Sequence, residues 1–307
     1  MKDSTRDTAQ DSVKRCYSTW GERYYDEYYH SETAYPPVHT GIMRDMIQAA
    51  GPRTVLDAGC GPASMLRDLV DLPAEFYGFD LTPEMVQVAH EVLGKSGLPA
   101  DRVWQGSVLD PLAYRHAGSD RSTFDFALCF GVLPHIPAGD DATVLHNLTA
   151  AINPGGRIAI EARNQLFALF TLNRYSRDFF RQTLIDEAGL RAKASGDETA
   201  ALNAAFEEIN RHFRADLPPI RKGYEDEPGY DEVLSRTHNP FELAAQARAA
   251  GLVDVEVLFY HFHALPPMVE AEMKPFFRRA SLDMENPRDW RGYFMASAFI
   301  LTGTKPA

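Results

Sequence analysis

Cysteine is scarce: Cys16, Cys60 and Cys129 are the only three in 307 residues, and no two share a disulfide-framework or metal-ligand spacing. This excludes a disulfide scaffold and a cysteine zinc site, and predicts reduced, buried thiols. No apolar run reaches the roughly 18 residues of a membrane span. The polar start MKDSTRDTAQDSVK offers no apolar stretch for a signal peptide, so a cytoplasmic chain is expected. Positive charge is the minority sign, with 31 Lys and Arg against 43 Asp and Glu and a formal charge of −12. No nucleic acid and no anionic membrane is therefore expected as the main partner. Internal repeats and low-complexity segments are also lacking.

What the chain has is concentrated in Val55-Leu-Asp57-Ala-Gly59-Cys-Gly61-Pro-Ala63-Ser64, followed by Gly78-Phe-Asp80. A short apolar run ends in an acid and two glycines. A helical pattern follows at 65–70, and a second apolar run at 76–79 ends in another acid. Such a strand–turn–helix–strand unit brings glycine-lined backbone close to a ligand, with a strand-end acid placed to accept hydrogen bonds from ribose hydroxyls. Two ligands use it. A dinucleotide pyrophosphate needs free amides at the helix start and a third glycine for close packing. Here Ser64 stands at the sixth position of that pattern, Pro62 removes an amide, and Asp57 would repel a phosphate. S-adenosylmethionine has no phosphate but carries an ammonium and a sulfonium, which suit carboxylate and carbonyl oxygens. An NAD-dependent oxidoreductase is the weaker alternative.

Strands go on alternating with helices. Thr82 caps a helix with Pro83 at its first position, ending at Gly94. Segments 102–105, 124–130 and 157–161 read as the third to fifth strands, with a helix at 142–152 and an Asn153-Pro-Gly-Gly156 turn. This predicts an open parallel sheet with helices on both faces. From residue 162 the pattern breaks into a phenylalanine-rich helical stretch at 165–180, a polar helix at 197–213, Pro218-Pro219 and the acidic loop Glu225-Asp-Glu227. A helix from Asn239 to the Gly251 stop, a strand at 253–260, a helical segment at 268–281 and a strand at 294–302 restore it. An insertion this long is usually functional, and a substrate lid is the natural reading. The expected division is a helical cap at 1–50, a core at 51–161 and 239–307, and a lid at 162–238.

The glycine segment resembles motif I of the class I S-adenosylmethionine-dependent methyltransferases, acid-x-Gly-x-Gly-x-Gly, with Ala63 in place of the third glycine. Gly78-Phe-Asp80-Leu-Thr-Pro-Glu-Met85 resembles the second motif, whose acid binds the ribose. Gln105-Gly106-Ser107-Val108-Leu109 resembles the third, with Ser107 where an Asp often meets the adenine amino group and the Val108 backbone as its substitute. Residues 125–133 resemble the fourth, with Phe130, Gly131 and Val132 beneath the methionine portion, and Pro154-Gly155-Gly156-Arg157 resembles the turn before the fifth strand. The resemblance covers about 50–161 and 239–303. It implies an α/β, Rossmann-like, mostly parallel seven-stranded sheet with the last strand antiparallel, plus a helical cap and lid. It also implies S-adenosyl-L-methionine as cofactor, leaving as S-adenosyl-L-homocysteine. The implied cofactor contacts are Asp57, Gly59, Gly61, Asp80, Leu81, Met85, Ser107, Val108, Phe130 and Val132. The segment Cys16-Tyr-Ser-Thr-Trp20-Gly-Glu-Arg-Tyr24-Tyr25-Asp-Glu-Tyr28-Tyr29 is similar to the aromatic helix that many small-molecule members lay over the cofactor. Tyr17 or Tyr25 is then the ring facing the sulfonium.

Methyl transfer from a sulfonium is an in-line displacement, so the protein aligns nucleophile, carbon and sulfur, excludes water, and supplies a base where the nucleophile carries a proton. His135 and Glu161 are the candidate catalytic residues. Candidate acceptor contacts are Arg163, Asn164, Arg174, Tyr175, His238 and His261, and an arginine under a lid would suit an anionic acceptor. His261 and His263 alternate on one strand face, but no third ligand accompanies them and no metal is expected. Phe130 stands where divalent-metal-dependent O-methyltransferases place a carboxylate, and Gly131-Val-Leu-Pro134 replaces the Asn/Asp-Pro-Pro-aromatic motif of nucleic-acid amino methylation. The expected function is methyl transfer to an oxygen or nitrogen of a small-molecule acceptor, with C-methylation open. A cofactor-binding protein acting by interaction alone is the alternative from another class.

Overall fold

The computed structural model describes residues 2–20, 35–116, 122–216 and 233–307. Seven strands are formed: β1 (Thr54–Ala58), β2 (Glu75–Asp80), β3 (Val103–Gln105), β4 (Phe124–Cys129), β5 (Ile152–Arg163), β6 (Val253–Phe262) and β7 (Ala296–Thr304). They make one sheet in the order β3-β2-β1-β4-β5-β7-β6. The first five pair in parallel, and β7 runs antiparallel to both β5 and β6. This is the sheet expected from the motifs.

The central strands are buried on both faces, which is why they read as unbroken apolar runs. Alternate residues serve different layers. Leu56, Ala58 and Ala127 pack with Val144, Leu145 and Leu148 of α4 (Asp141–Ala151) and Leu243 of α9 (Pro240–Ala249). Val55, Phe126 and Leu128 pack with Met43 and Ile47 of α2 (Val38–Ala50) and with Val86 and Leu93 of α3 (Pro83–Gly94). Helix α1 (Lys2–Trp20) lies outside these layers, and its Cys16 packs on Met85 and Val233.

Three local expectations are corrected. The glycine loop leads into a 3-10 turn, Leu66–Asp68, and not into a regular helix. Ala63 sits fully buried at φ +61°, a left-handed conformation that no regular helix continues through, and Ser64, Met65, Leu66 and Leu69 are buried as well. Asn153–Gly156 falls within β5, where Gly155 N–H donates to the Lys305 carbonyl and Lys305 N–H to that of Gly156. The stretch 165–180 breaks at Leu172, which adopts φ +52°, into α5 (Ala168–Thr171) and α6 (Arg174–Phe179). Asn173 starts α6 by accepting from Tyr175 N–H at 2.9 Å. The insertion continues through a π turn (Phe180–Leu184), α7 (Glu187–Lys193) and α8 (Asp197–Arg211).

The two ends of the insertion are tied together. Asn164 and His238 form an isolated parallel bridge, with His238 N–H donating to the Arg163 carbonyl at 2.8 Å and Gln165 N–H to the His238 carbonyl at 3.0 Å.

Candidate active site

A cavity of about 1610 Å³ opens at the carboxyl ends of β1, β2, β4 and β5, the crevice where open α/β sheets bind ligands. Its floor is the glycine loop. Gly59 is at φ +86°, and a Cβ there would lie 2.3 Å from Val132 Cγ2, so any side chain at 59 would collide with the loop after β4. Asp80 holds this floor in shape. Its Oδ2 accepts from Gly61 N–H at 2.9 Å and its Oδ1 from Thr82 N–H at 2.8 Å, leaving lone pairs toward the cavity. Burial pushes its carboxyl up despite those two donors.

Asp57 is buried at the end of β1, and among the described residues its Oδ1 has no hydrogen-bond partner. Burial, and then the Asp80 charge, push its carboxyl up to about 7. A buried, partnerless carboxylate oxygen is costly unless a ligand donor completes it. An ammonium does so; a pyrophosphate would be repelled. The loop also lacks a regular helix start behind it and, at Pro62, an amide, so the dinucleotide requirement is unmet. The residues present fit S-adenosylmethionine: Asp57 would take the ammonium and Asp80 the ribose, and Leu81, Met85, Ser107 and Val108 line the same cavity. The cavity exceeds the ~300–1,000 Å³ of an ordinary ligand pocket, leaving space for a second molecule beside a nucleoside cofactor.

His135 sits in the 3-10 turn Leu133–His135 and is buried. Its Nδ1 lies 2.7 Å from the Leu234 carbonyl and its Nε2 3.0 Å from the Tyr17 hydroxyl. A carbonyl only accepts, so Nδ1 carries the proton and Nε2 accepts from Tyr17. Burial lowers this imidazole to about 4. Glu161, buried near the end of β5, accepts from Gly131 N–H at 2.8 Å. Burial raises its carboxyl, with Gly131, Arg163 and the Tyr260 hydroxyl acting the other way.

The structure brings most of the sequence candidates to one cavity. Tyr17, Asp57, Gly59, Gly61, Asp80, Leu81, Met85, Ser107, Val108, Phe130, Val132, His135, Glu161, Arg163, Asn164, Tyr175 and His261 all line it. Two acceptor candidates stand elsewhere. Arg174 is not among the lining residues. His238 is buried behind the wall, its Nε2 3.5 Å from Asp141 Oδ2. Asn164 borders the cavity but its amide is a brace, donating to the carbonyls of Gly292, Tyr293 and Ala296 at 2.8–3.1 Å. Tyr24, Tyr25, Tyr28, Tyr29 and the loop Glu225-Asp-Glu227 lie outside the described residues. The structure adds Tyr35, His39, His263 and Phe167, which the motifs did not flag. Only the His261–His263 alternation hinted at this wall. Among the described residues no three His, Cys, Asp or Glu side chains converge as a metal-ligand set.

Residues 55–156 match the family model for a methyltransferase domain. A ubiquinone biosynthesis O-methyltransferase of Paraburkholderia xenovorans is 26% identical over 174 residues, covering 52% of this chain and 72% of the relative. A protein-L-isoaspartate O-methyltransferase of Myxococcus xanthus is 29% identical over 133 residues, covering 43% of this chain and 55% of the relative. The magnesium protoporphyrin IX methyltransferase of Synechocystis, solved with bound S-adenosylhomocysteine, shares the fold with a TM-score of 0.51 at 12% identity, over 97% of this chain and 99% of that one. The family match over residues 55–156, with the glycine loop, the paired strand-end acids and the sheet order, supports a class I methyltransferase that uses S-adenosylmethionine as cofactor.

Proposed function

We propose that this protein transfers a methyl group from S-adenosylmethionine to an oxygen or nitrogen of a small-molecule acceptor held in the same cavity. The observation that carries this reading is one continuous space, floored by Asp57, Gly59 and Asp80 and walled by Phe167, Thr171, Tyr175 and Phe179 of the insertion. Residues 162–238 act as its lid in this reading and α1 as its cap. Asp57 and Asp80 would hold S-adenosylmethionine, whose sulfonium would supply the activated methyl for displacement by the acceptor's lone pair, the C–S electron pair staying on sulfur. Glu161, which lines the cavity and whose carboxyl burial raises, receives the acceptor's proton. His135 fixes Tyr17, and so orients that ring over the cofactor space. The O-methyltransferases among the relatives favour oxygen over nitrogen as the accepting atom.

Calorimetry with S-adenosylhomocysteine and a product assay over hydroxyl- and amine-bearing small molecules test this reading. Saturable cofactor binding with acceptor-dependent release of S-adenosylhomocysteine is the expected result. Binding without turnover on any acceptor would favour a non-catalytic role.

A further inference from the structure

The end of the cavity away from the glycine loop is built from flat rings. His39, on α2, stacks on Phe130 with centroids 6.1 Å apart and faces Tyr260 at 5.3 Å. His261 lies 4.0 Å from the Tyr35 ring and stacks with His263 at 5.4 Å and 20°. His263 in turn meets Phe167, on the first turn of the insertion, at 4.7 Å. These rings come from four separate parts of the chain and border the same space as Asp57. Phe130 joins the ladder to the motif that flanks the cofactor's methionine portion. His261 holds its place at φ +63°, a backbone region that non-glycine residues seldom adopt and that clusters at ligand-contacting positions.

The charge of this wall is equally specific. Burial lowers His39 and His263 to about 4 and His261 to about 3, so all three imidazoles are neutral near pH 7. Arg163 is the single lysine or arginine among the described lining residues, and it donates to Ser235 Oγ. An anionic acceptor would meet Glu161, Asp178 and Glu270 on the lining, against Arg163 and the charge of Arg278 felt at Tyr35 and His261. Stacked neutral rings instead favour a flat π-system, whose faces they match and whose desolvation costs little.

We propose that this wall of rings, His39 against Phe130 and Tyr260 beside the Tyr35–His261–His263–Phe167 row, is the acceptor subsite, and that its ligand is an uncharged, planar aromatic ring bearing the hydroxyl or amine to be methylated. This rests on the reading of the cavity as a methyltransferase site and narrows its substrate class.

Three matched probes test it on the full chain: 2-naphthol, the anion 2-naphthoate, and the non-planar decahydro-2-naphthol, each titrated with and without S-adenosylhomocysteine. 2-Naphthol is expected to bind about tenfold or more tightly than either of the others. His39→Leu and His263→Leu, which remove a flat face, should each weaken it about tenfold, whereas His39→Phe and His263→Phe restore most of the affinity. Equal affinity for the three probes, preference for 2-naphthoate, no saturable 2-naphthol binding, or indifference to Leu against Phe would each overturn the subsite. If a Leu variant fails to fold, the three-probe ranking in the unaltered protein and the Phe variants still decide. Cofactor binding is read separately. A protein that holds 2-naphthol but no S-adenosylhomocysteine keeps the subsite and loses the methyltransferase reading, and the converse result loses the subsite alone.

Discussion

Asp57 shows how one carboxyl is set by its surroundings. Burial and the neighbouring Asp80 raise it to about 7, so in the ligand-free protein it is largely protonated below that pH. An ammonium placed against it favours the ionised form, so binding expels the proton. S-adenosylhomocysteine affinity should therefore climb from pH 6 to pH 8, with proton release visible in calorimetry across buffers of different ionisation enthalpy. In Asp57→Asn the pH dependence should flatten, and a curve of unchanged slope would contradict the assignment. His135 and Glu161 separate by the same reasoning. Both ring nitrogens of His135 are engaged, by Leu234 and Tyr17, so His135→Ala should cost turnover and cofactor affinity together. Glu161→Gln keeps an oxygen for Gly131 N–H but cannot take a proton; turnover should fall by about 10²–10⁴-fold with cofactor affinity nearly intact. If instead His135→Ala spares affinity while Glu161→Gln spares turnover, the two roles are reversed.

Among the elements, the returning segment before α9 is fastened to the wall of the site. Arg236 donates to both oxygens of Asp141, at 2.9 and 2.7 Å, and to the Ile136 carbonyl. Leu234 accepts from His135, and the Arg236 amide donates to the Pro134 carbonyl. Although burial raises Asp141, His238 beside it at 3.5 Å and the Arg236 guanidinium bring its carboxyl below the usual range. Charge-assisted bonds of this kind are worth about 1.5–3 kcal/mol each. Arg236→Ala should therefore loosen residues 233–238, raising acceptor KM severalfold with less effect on kcat and making that stretch more open to limited proteolysis. An unchanged cleavage pattern would argue that the backbone bonds hold the segment alone. The sheet and its strand-end acids were readable because apolar runs buried on two faces, and glycines forced by close approach, leave local marks. The insertion was read less well. Its breaks depend on single residues such as Leu172 and Asn173, and its phenylalanines carry no helical period. His39, Tyr35 and His263 meet only in the folded chain, so no spacing could bring them together. Arg174 and His238 looked like site residues for the opposite reason: their types were suggestive, but only packing decides which side of a wall a residue faces.

At the scale of the whole molecule, the site concentrates neutral imidazoles, with His135 buried and His39, His261 and His263 half-buried. His39, His135 and His263 sit near 4 and His261 near 3, each lowered first by burial. In the unfolded chain a histidine titrates at about 6.5. Between that value and the folded ones the unfolded state binds these protons and the native state does not. Stability from the four groups is thus complete above about 6.5 and is lost as pH falls toward 4. Asp57 opposes them, because between 3.8 and about 7 it is the native state that keeps the proton. Asp80, Glu161 and Glu285, whose carboxyls burial also raises, act on the side of Asp57, so the histidines' share is read by comparing variants. From pH 7.5 down to pH 5 the histidines pull the urea midpoint down and the raised carboxyls pull it up. The double variant His39→Phe/His263→Phe keeps the rings but removes two of the titrating groups, so its midpoint should fall less, or rise more, than that of the wild type over the same interval. A double variant whose midpoint changes with pH as much as that of the wild type would mean that these two imidazoles are solvated or already charged, and the neutral aromatic wall at the acceptor end of the cavity would lose its physical basis.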